Sequence, residues 1–404
     1  MKLLWLPIVA ALGLSLGGCG LATKDPLQGL GTHAVESYYS TPEFLAPQVP
    51  VWPDSSLEDI LVRLSSLSLP GSEQHATLYK FDSSRLTASF AKAQSRGVRV
   101  HLVMDDSAND SSYAPARDLL IEALGKDHVH VCKNDGCIGQ ENNHNKFYLF
   151  SEIRHPQDRS KTLKHIVVET SSNMKFSHKF LFNTLRIYSG DEKLYNAVLQ
   201  YWRDLRSEKY TPDYLGGPNG TVRGASLDNV SMYFFPSRSG EPMVEDVMPD
   251  VSCKQGGEIL VAQSILKGKR GRKIIAQANR LQAEGCYVGM IVRDSENNQY
   301  AEELHSYPGI ETYFTPFVHS KDVAIRASRI VDGVARPFTM VCGGSLNGHD
   351  DSVNNEELLA CITGEREFRK YRRYWKTMKK AALPIARTGT PRRSGRHTAI
   401  ASRL

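Results

Sequence analysis

The sequence predicts an α/β protein built from two copies of one α-β-α lobe, each with a mixed sheet, related by pseudo-twofold symmetry. Three observations support this prediction. The chain has 404 residues, which is enough for two domains with sizeable cores. A strand-helix-strand pattern occurs twice, and a helix rich in aromatic residues closes each copy.

The repeated unit is an apolar strand, a helix and a second apolar strand. A glycine follows each helix, Gly97 in the first copy and Gly285 in the second, where a helix C-terminus needs a positive φ. This order is typical of a right-handed crossover unit in a parallel or mixed sheet. The elements are predicted at residues 76–79, 86–95 and 98–105, and again at 258–262, 273–283 and 286–294.

The closing helices begin at Glu192 and Glu365, 173 residues apart, and each contains a Tyr-Trp pair that we expect to pack on its sheet. Pro, Gly and Asn cluster between the copies, at residues 211–226. The predicted domains are residues 54–215 for the first lobe, 216–384 for the second, and a basic disordered tail at 385–404.

The overall composition, 41% hydrophobic and 23% charged, is that of a globular chain and excludes a multi-span membrane protein. The net charge of +6 is unevenly distributed. From Glu365 onward there are 13 Lys or Arg and 2 acids, or +11, which leaves −5 for the preceding residues. We interpret this segment as a solvated helix face with a loose tail; binding to an anionic membrane or to nucleic acid is the alternative.

The N-terminal residues are typical of an export signal. Met1 and Lys2 precede an apolar run, Leu3 to Leu16, that is too short to span a bilayer comfortably. The run ends in Leu16-Gly17-Gly18-Cys19, which resembles a bacterial lipobox and implies that Cys19 carries a diacylglyceryl group. We therefore expect an exported protein, lipid-anchored to a membrane of the bacterial cell envelope, with residues 20–53 as a tether. Simple secretion is the alternative.

Six cysteines remain beside Cys19, an even number that suits an oxidising compartment and allows 15 pairings. A local disulfide between Cys132 and Cys137 is favoured because they enclose a short turn. Cys342 and Cys361 end strand-like runs that could lie side by side, and Cys253 and Cys286 could do the same. The spacing does not resemble that of a zinc site.

Each copy carries a His and a Lys two residues apart in a strand-like run. They are His144 and Lys146 in the first copy and His319 and Lys321 in the second, and the strand period of two places each pair on one face. About 26 residues later, a small polar cluster follows an apolar strand in each copy. The clusters include Ser171 and Asn173, and Ser345 and Asn347, at strand ends where a sheet presents groups to a ligand.

This doubled arrangement resembles the phospholipase D superfamily, whose paired H-x-K-x-x-x-x-D and G-S-x-N motifs meet across a pseudo-twofold interface. The resemblance covers residues 57–380. It implies that His144 and His319 are the catalytic pair and that Lys146 and Lys321 hold phosphate oxygens. Further residues that it implies for the phosphate cradle are Asn173, Asn347, Ser171 and Ser345.

The sequence departs from the family pattern at the motif Asp, which is Ser151 in the first copy and Arg326 in the second. The family also has an acid beyond G-S-x-N that orients a catalytic imidazole. Glu356 fills this position in the second copy, whereas Leu181 to Asn183 offer no acid. We therefore expect Glu356 to pair with His319 as the general acid and His144 to be the nucleophile.

The resemblance implies a metal-independent phosphodiesterase with a phosphohistidine intermediate and no cofactor. We expect it to cleave phospholipid headgroups by hydrolysis or by transfer to an alcohol, and to act as a monomer because one chain holds both half-sites. The alternatives are a nuclease with the same chemistry and a catalytically weak binding lipoprotein.

Overall fold

The structure is a computed structural model that describes residues 25–47, 49–133, 136–139, 141–293, 304 and 307–384. Two expectations therefore lie outside the described residues. They are the lipidated Cys19 with its leader and the basic tail at 385–404.

Each lobe contains the predicted strand-helix-strand unit, at residues 73–104 in the first and 258–292 in the second. The strands before the lobe boundary are β1 (Ala34–Tyr39), β2 (Glu43–Ala46), β3 (Val49–Trp52), β4 (Glu73–Leu78), β5 (Arg99–Met104), β6 (Val129–Val131), β7 (Phe147–Arg154), β8 (Thr162–Thr170) and β9 (Thr184–Ser189). Those after it are β10 (Thr221–Arg223), β11 (Val230–Phe234), β12 (Val251–Ser252), β13 (Glu258–Gln263), β14 (Tyr287–Val292), β15 (Glu311–Phe314), β16 (Lys321–Val331), β17 (Val334–Gly344), β18 (Leu358–Thr363) and β19 (Leu383–Pro384).

The α-helices are α1 (Ser56–Leu67), α2 (Ser84–Ser95), α3 (Ala114–Leu124), α4 (Glu192–Ser207), the single turn α5 (Met248–Asp250), α6 (Gly268–Ala283) and α7 (Glu365–Ala381). Short 3₁₀ segments lie at Asp106–Asn109, Lys126–His128, Phe176–Phe180 and Asp350–Val353, and a π-helical segment lies at Met243–Val247. Within the described residues, no helix combines the length and apolar character that crossing a membrane requires.

The two lobes order their equivalent strands identically. The first sheet runs β1-β9-β8-β7-β4-β5-β6, and the second contains β11-β18-β17-β16-β13-β14-β15. In each lobe the last three strands are parallel and the others antiparallel. This matched topology confirms the predicted mixed α/β fold with a duplicated lobe.

The repeat extends to the packing of the closing helices. The Trp202 indole of α4 donates to the carbonyl oxygen of Ala76 at 3.0 Å, and the Trp375 indole of α7 donates to that of Val261 at 3.1 Å. Both tryptophans are buried, as expected for core residues. Gly97 and Gly285 have φ values of 88° and 117°, which confirms the helix-ending role that the sequence predicts for them.

The described part of the expected tether is not a loose linker. Its residues 34–39 form β1, which pairs antiparallel with β9 along its whole length. Leu27 and Leu30 are buried in the core of the first lobe. The prediction was wrong here because the apolar residues of this segment are too widely spaced to stand out, although the sheet edge beside β9 accepts them.

The favoured disulfide Cys132–Cys137 is present, and the two possible pairs Cys253–Cys286 and Cys342–Cys361 are also disulfide-bonded. The third joins directly paired residues of the neighbouring strands β17 and β18.

The lobes meet through two equivalent backbone contacts. The N–H of Phe182 donates to the carbonyl of Phe317 at 2.8 Å, and the N–H of Glu356 donates to that of Asn142 at 3.1 Å. A buried ion pair adds to them, because Arg186 of the first lobe lies 2.5 Å from Asp322 of the second and 2.8 Å from Glu169. These contacts fix the relative position of the strands that carry the two His-x-Lys pairs.

Candidate active site

His144 lies at the lobe interface, just before β7. Its Nδ1 lies 2.9 Å from Oε1 and 3.0 Å from Oε2 of Glu357, which belongs to the other lobe. The ring packs edge-on against Tyr79, with 4.7 Å between ring centroids. Since Glu357 is fully buried and ionised, it accepts the Nδ1 proton and leaves the Nε2 lone pair of a neutral imidazole available.

His319 occupies the equivalent position before β16. Its Nδ1 lies 2.9 Å from Oδ1 of Asn183, again from the opposite lobe. Its backbone N–H donates to the carbonyl of Phe182 at 3.0 Å. The His178 ring lies 4.3 Å from the His319 ring. Each histidine is therefore oriented by the other lobe, one by a carboxylate and the other by a neutral amide.

The two lysines lie beside the histidines. The Lys321 ammonium donates to the backbone carbonyl of His319 at 2.7 Å and lies 3.1 Å from its Nδ1. Lys146 donates to the backbone carbonyl of His144, and its ammonium lies 4.9 Å from the Tyr79 ring centroid. Both lysines are 2% exposed, so the site concentrates positive charge away from water.

This crowding of cationic groups shifts their pKa values. Burial is the largest cause in every case. Burial lowers the pKa of His144 to about 4; Glu357 opposes this shift and Lys146 adds to it. Burial also lowers the pKa of Lys146 to about 7. The pKa of Lys321 falls well below its usual value through burial and the neighbouring Lys146. Burial and the adjacent Lys321 also hold the pKa of His319 far below its usual value. An anion bound here would reverse these shifts.

The polar residues of the two motif clusters are buried next to the residues that orient the histidines. Asn173 and Asn347 are buried, and the Oδ1 atom of each finds no hydrogen-bond partner among the described residues. The hydroxyl of Ser171 donates to Oδ1 of Asn183 at 3.1 Å, and that of Ser345 accepts the N–H of Leu358 at 3.1 Å. The serines thus support the groups that hold the histidines.

Glu356 does not pair with His319, which corrects the sequence-based expectation. Its carboxylate accepts the backbone N–H groups of Ile138 at 2.9 Å and of Gly139 at 2.5 Å. It therefore anchors the turn next to the Cys132–Cys137 disulfide. The expectation missed the register by one residue, because the neighbouring residue Glu357 faces the site and reaches across to the first-lobe histidine.

The residues that sequence reasoning missed are Glu357, Asn183, His178 and Tyr79. The sequence repeat could have identified Glu357 and Asn183. Asn173 and Asn347 are 174 residues apart, and the same offset places Asn183 opposite Glu357. No comparable signal marks His178, whose equivalent by the same offset is Ser352.

The two positions of the missing motif Asp lie away from the imidazoles. The Ser151 hydroxyl accepts the N–H of Glu73 at 2.8 Å, and Arg326 pairs with Glu258 at 2.9 Å. Glu73 and Glu258 begin β4 and β13, at the sheet ends opposite the His-x-Lys pairs. The departures at Ser151 and Arg326 therefore remove no charged group from the His-Lys cluster.

No group of three or more His, Cys, Asp or Glu residues in the described part of the chain is arranged to hold a metal ion. Lys146 and Lys321 are the lysines at the site, and a bound anion would favour their charged forms.

No protein-family model and no curated protein matches the sequence, but solved structures match the fold. Phosphatidylserine synthase from Haemophilus influenzae Rd KW20 aligns with a TM-score of 0.54 at 11% identity, over 89% of this chain and 91% of that one. Polyphosphate kinase from Porphyromonas gingivalis has a TM-score of 0.49 at 13% identity, over 85% of this chain, which spans 50% of that one.

Nuc from Salmonella typhimurium, a phospholipase D family member, aligns with a TM-score of 0.31 at 16% identity, over 43% of this chain and 95% of that one. The likeness to the phosphatidylserine synthase spans nearly all of both chains and agrees with the duplicated mixed sheets described above. This chain therefore shares the fold of that phosphatidylserine synthase.

Proposed function

We propose that the protein is a phosphodiesterase of phospholipase D type that cleaves phospholipid headgroups through a phosphohistidine intermediate. The observation that carries the proposal is the pair of matching half-sites: each histidine is held at Nδ1 by a residue of the opposite lobe and lies beside a buried lysine. The half-sites are close to each other, because Lys146 of the first lobe lowers the pKa of Lys321 in the second. A phosphodiester supplies the negative charge that this cluster of buried cations lacks.

In the proposed first step, Nε2 of His144 attacks phosphorus and the bond from phosphorus to the leaving oxygen breaks. Glu357 then faces the positively charged phosphoimidazole that forms, so its carboxylate stabilises the intermediate. This argument replaces the one based on Glu356 and still makes His144 the nucleophile.

His319 is the proposed general acid. A neutral Asn183 oxygen accepts its Nδ1 proton without adding charge, so the protonated ring remains a strong acid. The bound phosphodiester favours this protonated form. His319 gives its Nε2 proton to the leaving alkoxide and then takes a proton from water or an alcohol, whose oxygen attacks phosphorus and releases His144.

The phospholipid part of the proposal is supported by the fold likeness, which extends over the full length of a phosphatidylserine synthase. The proposed setting is a lipid-anchored monomer in the bacterial envelope. A nuclease of the same chemistry is the second candidate, because Arg373, Lys376 and Lys380 form an exposed cationic face on α7.

The test is a set of parallel assays of the full chain, in chelator and without added metal, on phosphatidylcholine vesicles, single-stranded DNA and a soluble aryl phosphodiester. We expect turnover of the lipid and of the aryl ester, abolished by His144→Asn and by His319→Asn separately. Turnover of DNA without lipid would support the nuclease. A folded protein inactive on all three substrates would support the binding lipoprotein, and chelator-sensitive turnover would contradict the mechanism.

A further inference from the structure

The β2–β3 hairpin is an isolated apolar projection. Among the described strands, β2 and β3 pair only with each other. Leu45 is 81% exposed and Trp52 is 64% exposed, and Val49 and Val51 are also exposed. A two-stranded sheet that presents this much apolar surface to water is marginal by itself, and contiguous exposed apolar surface marks a site of interaction.

The base of this hairpin is packed beside the candidate active site. The Phe44 ring stacks on Phe182 with 5.4 Å between centroids and meets Phe317 edge-on at 5.2 Å. Phe182 also accepts the backbone N–H of His319. β1 runs toward this end of the sheet, since Tyr39 pairs with Thr184 just after Asn183. The hairpin therefore projects from the end of the molecule where the histidines lie.

We infer that the hairpin inserts into the surface of a phospholipid bilayer and seats the active site on it. The inference rests on the proposed function and specifies that the phospholipid substrate is taken from a bilayer. The exposed tryptophan and leucine side chains of the hairpin strands match the apolar boundary of a bilayer, where an indole is especially favoured.

The backbone of the hairpin favours lipid over a protein partner. Its residues 42, 47, 50 and 53 are prolines, which have no N–H to donate. With fewer unpaired backbone N–H groups, burial of the hairpin in a lipid interface costs less free energy. The hairpin edges are also less able to pair with a strand of another protein.

The hairpin itself carries little charge, and lysines lie at the active site. Glu43 is the only charged residue between Thr41 and Pro53. Two lysines lie on the side of the active site. Lys175 lines a cavity with His178, and Lys80 is close enough to Lys146 to depress its pKa further. The exposed apolar side chains along the hairpin, with cations beside the site, match acyl chains below a layer of phosphates.

Fluorescence of the full chain tests the contact directly. Four tryptophans occur in the sequence, of which Trp202 and Trp375 are buried and Trp52 is exposed. In a Trp5→Phe background, vesicles of phosphatidylcholine and phosphatidylglycerol with brominated acyl chains should quench the emission. Adding Trp52→Phe should abolish that quenching. Because the signal belongs to Trp52, attachment of another part of the chain to the vesicle does not reproduce it.

Activity provides the second readout. Leu45→Ser/Trp52→Ser should lower turnover of vesicle phosphatidylcholine about tenfold or more while turnover of a soluble aryl phosphodiester stays within about twofold. Val331→Ser/Val334→Ser is the matched control. It alters an exposed apolar turn, with Val334 at 55% exposure, at the sheet end opposite the site, and should leave both activities unchanged.

An unquenched Trp52, with lipid turnover intact, would overturn the hairpin inference and leave the proposed function standing. A quenched Trp52 without any lipid turnover would support the hairpin contact and refute the proposed function. Self-association of the chain without lipid, abolished by Trp52→Ser, would show that a second copy occupies the hairpin and would overturn the inference.

Discussion

Nδ1 of His144 lies 2.9 Å from the carboxylate of Glu357, a residue 213 positions away in the opposite lobe. The equivalent contact of His319 is to the amide oxygen of Asn183, 136 positions away. The two half-sites therefore exchange their orienting residues across the interface, and the exchange is chemically unequal. This inequality underlies the assignment of one histidine as nucleophile and the other as acid.

The Glu357–Asn183 inequality predicts two different mutant phenotypes. Glu357→Gln should lower kcat about 10²-fold, because the phosphoimidazole loses its facing negative charge. Asn183→Asp should instead raise the pKa of His319 and move the high-pH limb of the kcat profile to higher pH. The measurement is the pH profile of aryl phosphodiester turnover for each variant. Identical profiles would contradict the unequal roles.

The pH dependence of stability should depend on anions. His144 has a folded pKa of about 4, below its ordinary value of 6.5, so the unfolded chain takes up a proton that the folded site refuses. This contribution to stability is present above pH 6.5 and is lost as pH falls toward 4. A bound anion pairs with the protonated groups and should offset the loss.

Thermal unfolding in sulfate and in chloride at equal ionic strength measures this effect. The increase in Tm in sulfate relative to chloride should become larger as the pH is lowered from 8 to 5.5. The control is Lys146→Met, since it keeps the general salt effect of sulfate but removes one cation from the site. An equal gain in both proteins at every pH would show that sulfate does not act at the site.

Arg186 is 1% exposed and pairs with Asp322 across the interface and with Glu169 in its own lobe. Arg186→Met removes the cation shared by two buried carboxylates and should lower the free energy of unfolding by about 3–5 kcal/mol. The matched control is Arg369→Met. It removes an exposed pair with Glu365 and should change stability by less than about 1 kcal/mol. Denaturant unfolding measures the loss of unfolding free energy in both variants. Equal losses would show that the Arg186–Asp322–Glu169 ion pairs do not stabilise the interface.

Arg326 stands where the family motif has Asp, yet it contacts Glu258 and not the histidines. Arg326→Asp should therefore not raise kcat on the aryl ester, although it restores the family residue. The variant should lose stability, because the new carboxylate faces Glu258. A tenfold increase in kcat would show that the motif Asp acts on the site from this distance.

The duplicated fold was predictable because identical local signals recur at a fixed offset. The apolar strands, Gly97 and Gly285, and the Trp202 and Trp375 helices fall at matching positions of the sheets. The position of β1 was not predictable, because only one of its six residues is buried and its sequence pattern is therefore weak. Sheet pairing with β9 decides its structure.

The residues of the candidate site that belong to the repeated motifs were predictable from the sequence. His144, Lys146, His319, Lys321 and both asparagines lie where the repeat placed them, at the ends of equivalent strands. Which acid faces which histidine depends on a one-residue register and on how the lobes meet. Adjacent acids at positions 356 and 357 point to opposite sides of the extended backbone, one to a turn and one to the site.

The central claim is that the two imidazoles act on one phosphorus atom, with His144 as the nucleophile. Trapping the phosphoenzyme formed from a labelled aryl phosphodiester tests it most directly, because an aryl leaving group needs little help from an acid. We predict that the label maps to the peptide with His144, disappears in His144→Asn and accumulates in His319→Asn, which cannot activate water. Label on His319, or turnover in His144→Asn, would contradict the account.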